Sequence, residues 1–451
     1  MHRSCHVMGR ATGTIPPTES EEQVMRPKRA PQSSVLGVSL LALLACGPGG
    51  DTSSGQESNI PDRPVLHPIP TPVRTGLEVL LSDSIHLIQG LSIGLITNHT
   101  GIDGRKVHAI DRLADVPQVA LAALFSPEHG IRGDAEGGVG IQSQIDERTG
   151  LPIHSLYGET RKPTPEMLEG LDALLFDIQD VGARYYTYVS TMALAMEAAG
   201  EAGIPFLVLD RPNPIGGVAT QGTVLDPEFA TFVGLYPVPM RHGMTAGELA
   251  RLYLGEFGIQ VDLKVIPLDG WRREMAFGDT NLPWVPPSPN MPSVESALHY
   301  PGTCLFEGTN LSVGRGTDIA FQIIGAPWLN GDSLAAALAR YEIPGVEIHA
   351  FRFTPKAPGD GKFPDQEIQG VRLISVSPDY DPTLTALALL LEARRLSGDR
   401  WEWRSAHFDR LAGTDRIRAG VEAGHDLDAL RVGWDEALEA FLEMRDRYLI
   451  Y

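Results

Sequence analysis

The stretch Ala173-Leu174-Leu175-Phe176-Asp177-Ile178-Gln179-Asp180 decides the fold: a short apolar run that breaks off into carboxylates. Three other runs share that shape, Ser92–Asn98, Val119–Pro127 and Pro205–Pro212, and each ends in polar or turn-forming residues. Short, fully apolar runs bounded in this way read as buried parallel strands. Between them lie helical stretches over Val107–Ala114, Thr164–Leu171, with Pro165 at its first position, and Tyr188–Gly203. In the last, Val189, Met192, Ala193 and Met196 fall at i, i+3, i+4 and i+7, on one helical face. Strand and helix in alternation predict an α/β fold, a Rossmann-like parallel sheet covered on both faces.

In such sheets ligands sit beyond the carboxyl ends of the strands. Those ends read Thr97-Asn98-His99-Thr100, Ser126-Pro127-Glu128-His129-Gly130, Asp177-Ile178-Gln179-Asp180 and Asp210-Arg211-Pro212-Asn213-Pro214. Four strands running into polar loops predict a site there. No Gly-x-Gly-x-x-Gly follows the first strand and no Gly-x4-Gly-Lys-Ser/Thr occurs, so neither a dinucleotide nor a nucleoside triphosphate is implied, and no cofactor is expected. Gly90-Leu91-Ser92-Ile93-Gly94 matches the serine-hydrolase elbow in letters but precedes a strand, which does not place Ser92 as a nucleophile. The thirteen histidines are scattered and His-Glu-x-x-His is absent, so no metal site is expected.

The second half predicts a smaller α+β domain over residues 244–451, after a sheet domain over 73–243. A helix over Thr245–Phe257 and a strand near Leu263–Pro267 lead into Asn281–Met291, where Pro283, Pro286, Pro287 and Pro289 force an extended loop. Strands near Ala320–Ile324, Val346–Phe353 and Gln369–Val376 follow, with helices near Ser333–Tyr341, Leu384–Leu396 and Trp434–Tyr448. Gly314 and Gly316 flank Arg315, a pattern that bends the backbone to present a guanidinium.

The first residues describe export. Arg26, Lys28 and Arg29 precede an apolar run from Val35 to Ala45 that is too short to span a bilayer and ends in Leu44-Ala45-Cys46-Gly47. This resembles a bacterial lipoprotein signal, with Cys46 the acylated residue and membrane attachment through that anchor only. Met25 stands just before the basic patch, so residues 1–24 read as lying upstream of the true start. Residues 47–72 are rich in Gly, Ser, Pro and Asp and read as a flexible tether. With Cys46 acylated, Cys304 has no partner for a disulfide. Lys plus Arg total 37 against 57 Asp plus Glu, a formal charge of −20 that argues against nucleic acid as a partner.

Five strings then carry a resemblance: residues 126–130 (Ser126 to Gly130), 176–188 (Phe176 to Tyr188), 209–214 (Leu209 to Pro214), 286–292 (Pro286 to Pro292) and 306–318 (Phe306 to Asp318). In that order they resemble the exo-β-N-acetylmuramidases of the NamZ type, over about Gly76 to Tyr451. The resemblance implies release of terminal non-reducing N-acetylmuramic acid from peptidoglycan fragments such as muropeptides, by a Rossmann-like domain packed on a smaller one.

Glycoside hydrolysis needs a carboxylic acid to protonate the leaving oxygen and a second group at the oxocarbenium-like centre. Glu128, just past a strand end and next to His129, is the first candidate for the acid. Glu307 and Asp177 stand level for the second role, which the substrate's own acetamido group would also fill. Asp177 and Asp180 have a second reading as loop-holding groups, and Glu197 reads as a flanking surface residue. The lactyl carboxylate of muramic acid calls for a guanidinium, and Arg184, Arg211 and Arg315 are the candidates. Tyr185 and Tyr186 are candidates for stacking on the sugar; His129, Asp180, Asp210, Asn213, His242, Asn290 and Asn310 complete the expected rim. Two other classes stay open at this point: a non-catalytic muropeptide-binding lipoprotein, and a metal-assisted deacetylase or esterase using His129, His242 and Asp177.

Overall fold

The computed structural model describes residues 72–131 and 144–451; the leader, Cys46 and nearly all of the tether lie outside them. Twelve strands are present among the described residues: β1 Ser92–Thr97, β2 Ala120–Ser126, β3 Gln144–Ile145, β4 Pro152–Ser155, β5 Ala173–Asp177, β6 Phe206–Leu209, β7 Gln221–Val224, β8 Pro239–Arg241, β9 Leu263–Ile266, β10 Ile323–Ala326, β11 Val346–Phe353 and β12 Ile368–Ser375. Seven form one sheet in the order β3-β4-β2-β1-β5-β6-β9. Every pairing in it is parallel except the short β3–β4 edge. From β1 the chain steps outward through β2 and β4, then returns to the other side of β1 with β5, β6 and β9, which makes the fold an α/β, Rossmann-like sheet. The four apolar runs are its central strands, and β1 and β5 are buried along almost their whole length.

The helix Tyr188–Ala202 buries Val189, Met192, Ala193 and Met196 against the sheet and stops at Gly203, whose φ of 70° is a left-handed C-terminal cap. Over Thr164–Leu171 only a 3-10 turn forms, Pro165–Leu168, because Glu169 is extended and Gly170 has φ 78°. The helix Ala246–Glu256 starts on a capping box between Thr245 and Glu248. It packs on the parallel sheet, and β9 pairs with β6, so the sheet runs past the boundary expected at residue 243. The remaining strands form an antiparallel sheet β10-β12-β11 and a β7–β8 pair. Helices Gly331–Leu338 and Pro382–Ser397 pack near that second sheet, and Val294–Thr303, Ser405–Ala412 and Arg416–Glu422 add helices that carry no strong sequence period. One continuous apolar core joins Phe176 and Met192 to Tyr300, Phe306 and Leu389, and the described residues form a single compact unit. No described helix is long and apolar enough to cross a membrane.

Between β1 and β5 the connections diverge, the place where such sheets usually bind a ligand. Here it is filled. Asp177, with no exposed surface, accepts from Arg211 Nε at 2.5 Å and Nη2 at 3.0 Å, and Arg211 also donates to Ile102 O at 2.9 Å. Thr97 Oγ1 donates to Asp177 O, and Gln179 N donates to Thr100 Oγ1, both at 2.9 Å. A Cβ on Gly101 would stand 2.1 Å from Thr97 Oγ1, so only glycine lets the loops close this tightly. The void left is about 10 Å³.

A buried pair that loses one partner leaves an uncompensated charge. Asp177→Ala is therefore expected to lower the unfolding free energy by about 3–5 kcal/mol, read by urea denaturation. Unchanged stability with lost hydrolysis would return Asp177 to the chemistry.

Candidate active site

The cavity lies to one side of that filled crevice. It has a volume of about 320 Å³ and is walled by the loop after β2, the start of the helix Tyr188–Ala202 and several C-terminal segments. Glu128 and Glu307 both line it, as do His129, Tyr185, Tyr186 and Arg315.

Glu128 sits two residues beyond β2, followed by two left-handed residues, His129 at φ 70° and Gly130 at φ 78°. Histidine pays for that conformation with backbone strain, and the sharp turn it makes leaves Glu128 facing the cavity. Thr187, the residue preceding the helix Tyr188–Ala202, donates its hydroxyl to Glu128 Oε2 at 2.5 Å instead of capping the helix. The Tyr157 phenol is pushed up to about 12, first by burial and then by the charge of Glu128 beside it.

Glu307 comes from the 3-10 turn Cys304–Gly308. Gly314 and Gly316, at φ 77° and 79°, bend the chain on either side of Arg315, whose Nε lies 2.6 Å from Glu307 Oε1 and Nη2 at 2.5 Å from the same oxygen. Burial pushes the Glu307 carboxyl up, but the charge and hydrogen bond of Arg315, with Lys362 behind them, outweigh it and hold it below its ordinary value. Glu307 is thus an ionised carboxylate. Lys362 is itself buried, with its ammonium donating to Phe306 O at 3.2 Å and Leu311 O at 2.6 Å, and burial brings it down to about 8.

Aromatic rings join the two sides. Tyr186 meets Tyr188 edge-on at 5.0 Å and Tyr300 at 5.7 Å; Tyr300 in turn meets Tyr185 at 5.5 Å and Phe321 at 4.7 Å. Tyr185 and Tyr188 donate their hydroxyls to Pro301 O and Pro287 O, which fixes both rings. Ser288 and Met291 of the proline-rich loop also line the cavity, while Asn290 between them is buried and does not.

Several expected rim residues are spent inside the fold. Asp177 and Arg211 hold each other. Arg184 donates to Thr223 O, Val238 O and Leu411 O at 2.7–2.9 Å, tying three segments together, and its burial lowers it to about 10. Asp210 accepts from Thr245 Oγ1, Gly247 N and Tyr451 Oη at 2.7–2.8 Å, so it anchors a helix start and the chain's last residue. Asn213 bridges Met244 O and Ile215 N, and Asn310 donates to Arg400 O. Asp180 accepts from Gly182 N and is raised to about 7 by burial; His242, 3.9 Å from it, is lowered to about 3 by burial and by Arg241. His242 and Asp177 do not join His129 at the cavity, and among the described residues no three His, Cys, Asp or Glu converge as metal ligands. Glu197 is partly exposed and pairs with Lys162 at 3.3 Å.

Other lining residues had no signal strong enough to single them out. Thr187 and Tyr188 lie inside the 176–188 string, but Tyr300, Lys362, Arg404 and His407 come from segments with no periodicity or motif of their own.

This is a carboxylate- and tyrosine-lined cavity on a Rossmann-like sheet, closed by a smaller α+β part, and comparisons with known proteins place that arrangement in one family. The chain belongs to the exo-β-N-acetylmuramidase NamZ family, whose N-terminal part matches residues 93–295 and whose C-terminal part matches residues 298–451. It is 48% identical over 381 residues to the peptidoglycan β-N-acetylmuramidase NamZ of Bacillus subtilis (strain 168), covering 84% of this chain and 91% of that one. Two crystal structures of DUF1343 family proteins from Bacteroides fragilis NCTC 9343 are similar to it. One has TM-score 0.79 at 36% identity and the other 0.67 at 33%, each covering 84% of this chain and 99% of its own.

Proposed function

We propose that this chain is a glycoside hydrolase that releases terminal non-reducing β-N-acetylmuramic acid from peptidoglycan fragments. Glu128 is the proton donor and Glu307 the charge-stabilising group. The observation that carries this reading is the shared cavity: two carboxylates, one accepting the Thr187 hydroxyl and one paired with Arg315, with tyrosines along its wall. The family and the Bacillus subtilis relative's name supply the sugar.

Glu307, kept ionised by Arg315, faces the positive charge that grows at the anomeric carbon as the bond breaks. It is a poor proton donor for the same reason. Glu128 has the hydroxyl of Thr187 to fix its orientation and lies across the same cavity, which suits protonation of the departing oxygen. The tyrosines give the sugar ring an apolar face to rest on.

The leader and tether extend the reading to location. A Cys46 lipid anchor would hold the enzyme at the cell envelope, where wall fragments arise during turnover or recycling.

Glu128→Gln keeps shape and hydrogen-bond reach but removes the transferable proton. Turnover of a natural disaccharide is expected to fall by roughly 10²–10⁴, with part of the loss recovered on a muramide carrying an activated phenolate leaving group. Near wild-type rates on the disaccharide would exclude Glu128 as the acid. For the anchor, Cys46→Ser is expected to move the protein from the membrane to the soluble fraction after cell fractionation; persistent membrane association would show that Cys46 is not the attachment point.

A further inference from the structure

The substrate on this reading carries a lactyl carboxylate, and the three arginines expected to meet it are committed elsewhere. Arg184 is held by three main-chain carbonyls, Arg211 by Asp177 and Ile102 O, and Arg315 gives Nε and Nη2 to one oxygen of Glu307. Arg184 and Arg211 do not line the cavity, and a carboxylate at Arg315 would share its guanidinium with Glu307.

The other cations on the cavity wall can be sorted in the same way. Lys362 is buried, holds two backbone carbonyls and lies 3.7 Å from Asp360. His407 has its Nδ1 3.4 Å from Arg410 Nη2, so that nitrogen is an acceptor. Arg404 differs from both. It lines the cavity and its side chain is exposed, and among the described residues its guanidinium makes no ion pair or hydrogen bond.

Its main chain, by contrast, is fixed. Arg404 N donates to Gly308 O at 2.8 Å, and Arg404 O accepts from His407 N and Phe408 N, both at 2.9 Å. Those bonds tie the residue to the start of the helix Ser405–Ala412 and to the turn that carries Glu307. The arginine side chain therefore projects from a fixed base at one side of the cavity. Its charge also acts inward: both Lys362 and His407 are lowered in part by it, after the larger effect of burial. With Glu307 paired to Arg315 and Asp360 next to Lys362, Arg404 adds positive potential to that wall that no described carboxylate neutralises.

We propose that Arg404 is the specificity-determining residue for the muramic acid substrate, its guanidinium pairing with the lactyl carboxylate while Glu128 and Glu307 act at the glycosidic bond. This rests on the muramidase reading. It adds which side chain separates N-acetylmuramic acid from N-acetylglucosamine, a sugar with no carboxylate at that position.

The test uses the full chain, its Arg404→Ala and Arg404→Lys variants, and three chromogenic substrates: the β-N-acetylmuramide, the same compound with its lactyl group as a neutral amide, and the β-N-acetylglucosaminide. The wild type is expected to prefer the carboxylate over the amide in kcat/KM. In Arg404→Ala that preference should fall by roughly 10–100-fold, the contribution of a hydrogen bond to a charged group, chiefly through KM for the carboxylate. Arg404→Lys should restore part of it, since an ammonium keeps the charge but not the planar fork. Damage to the fold would lower all three substrates together and leave the preference as it was, and that result overturns the proposal. So does an Arg404→Ala variant indistinguishable from wild type. If the wild type cleaves none of the three, the muramidase reading fails and this assignment fails with it.

Discussion

Asp177 and Arg211 form a buried, two-bonded ion pair at the point where the loops after β1 and β5 part. Sheets of this order commonly leave a crevice there for a ligand, and here the pair, with Gly101 packed against Thr97, occupies it. The chain can use the architecture without its usual binding place. The open cavity lies instead beside the neighbouring loop after β2, where the left-handed His129–Gly130 turn presents Glu128, and C-terminal segments line its other walls. One apolar core runs through both parts and fixes the two sides of that cavity relative to each other.

The two cavity carboxylates are separated by what surrounds them. Glu307 meets a guanidinium through two nitrogens and has a buried lysine behind it, so its negative charge is stabilised where burial alone would oppose it. Glu128 accepts the hydroxyl of Thr187 on Oε2. The tyrosine wall between them is built edge-to-face and anchored through hydroxyls to the proline-rich loop and to Pro301, which ties the site's shape to a segment whose sequence shows only that it is extended.

Much of the parallel sheet was legible because a strand buried on both faces must be apolar throughout and must end abruptly. The helix Tyr188–Ala202 was legible from its spacing. The run Thr164–Leu171 misled because a proline start and an apolar pair do not reveal that Gly170 breaks the turn. At the site, Glu128, His129, Tyr185, Tyr186, Glu307 and Arg315 were all singled out and all line the cavity. Asp177, Asp210, Arg184, Arg211 and Asn213 were singled out for the same chemical reasons and do not, because buried polar groups that close loops use the same residue types as polar groups that bind sugars. Only their partners separate the two, and those partners lie far away in sequence: Leu411 for Arg184 and Tyr451 for Asp210. Arg404 and Lys362 fall in polar segments with no pattern, so nothing but the fold brings them to the cavity.

On the proposed reading the sugar binds between Glu128 and Glu307 and not at the carboxyl ends of β1 and β5. A crystal structure of the Glu128→Gln variant soaked with an N-acetylmuramyl-β-1,4-N-acetylglucosamine disaccharide tests it most directly. The muramyl ring is expected against the tyrosine wall, with the glycosidic oxygen within about 2.6–3.2 Å of the residue 128 side chain. A disaccharide bound beside Arg211 and Asp177, or anywhere that leaves Glu128 and Glu307 without contact to it, would contradict it.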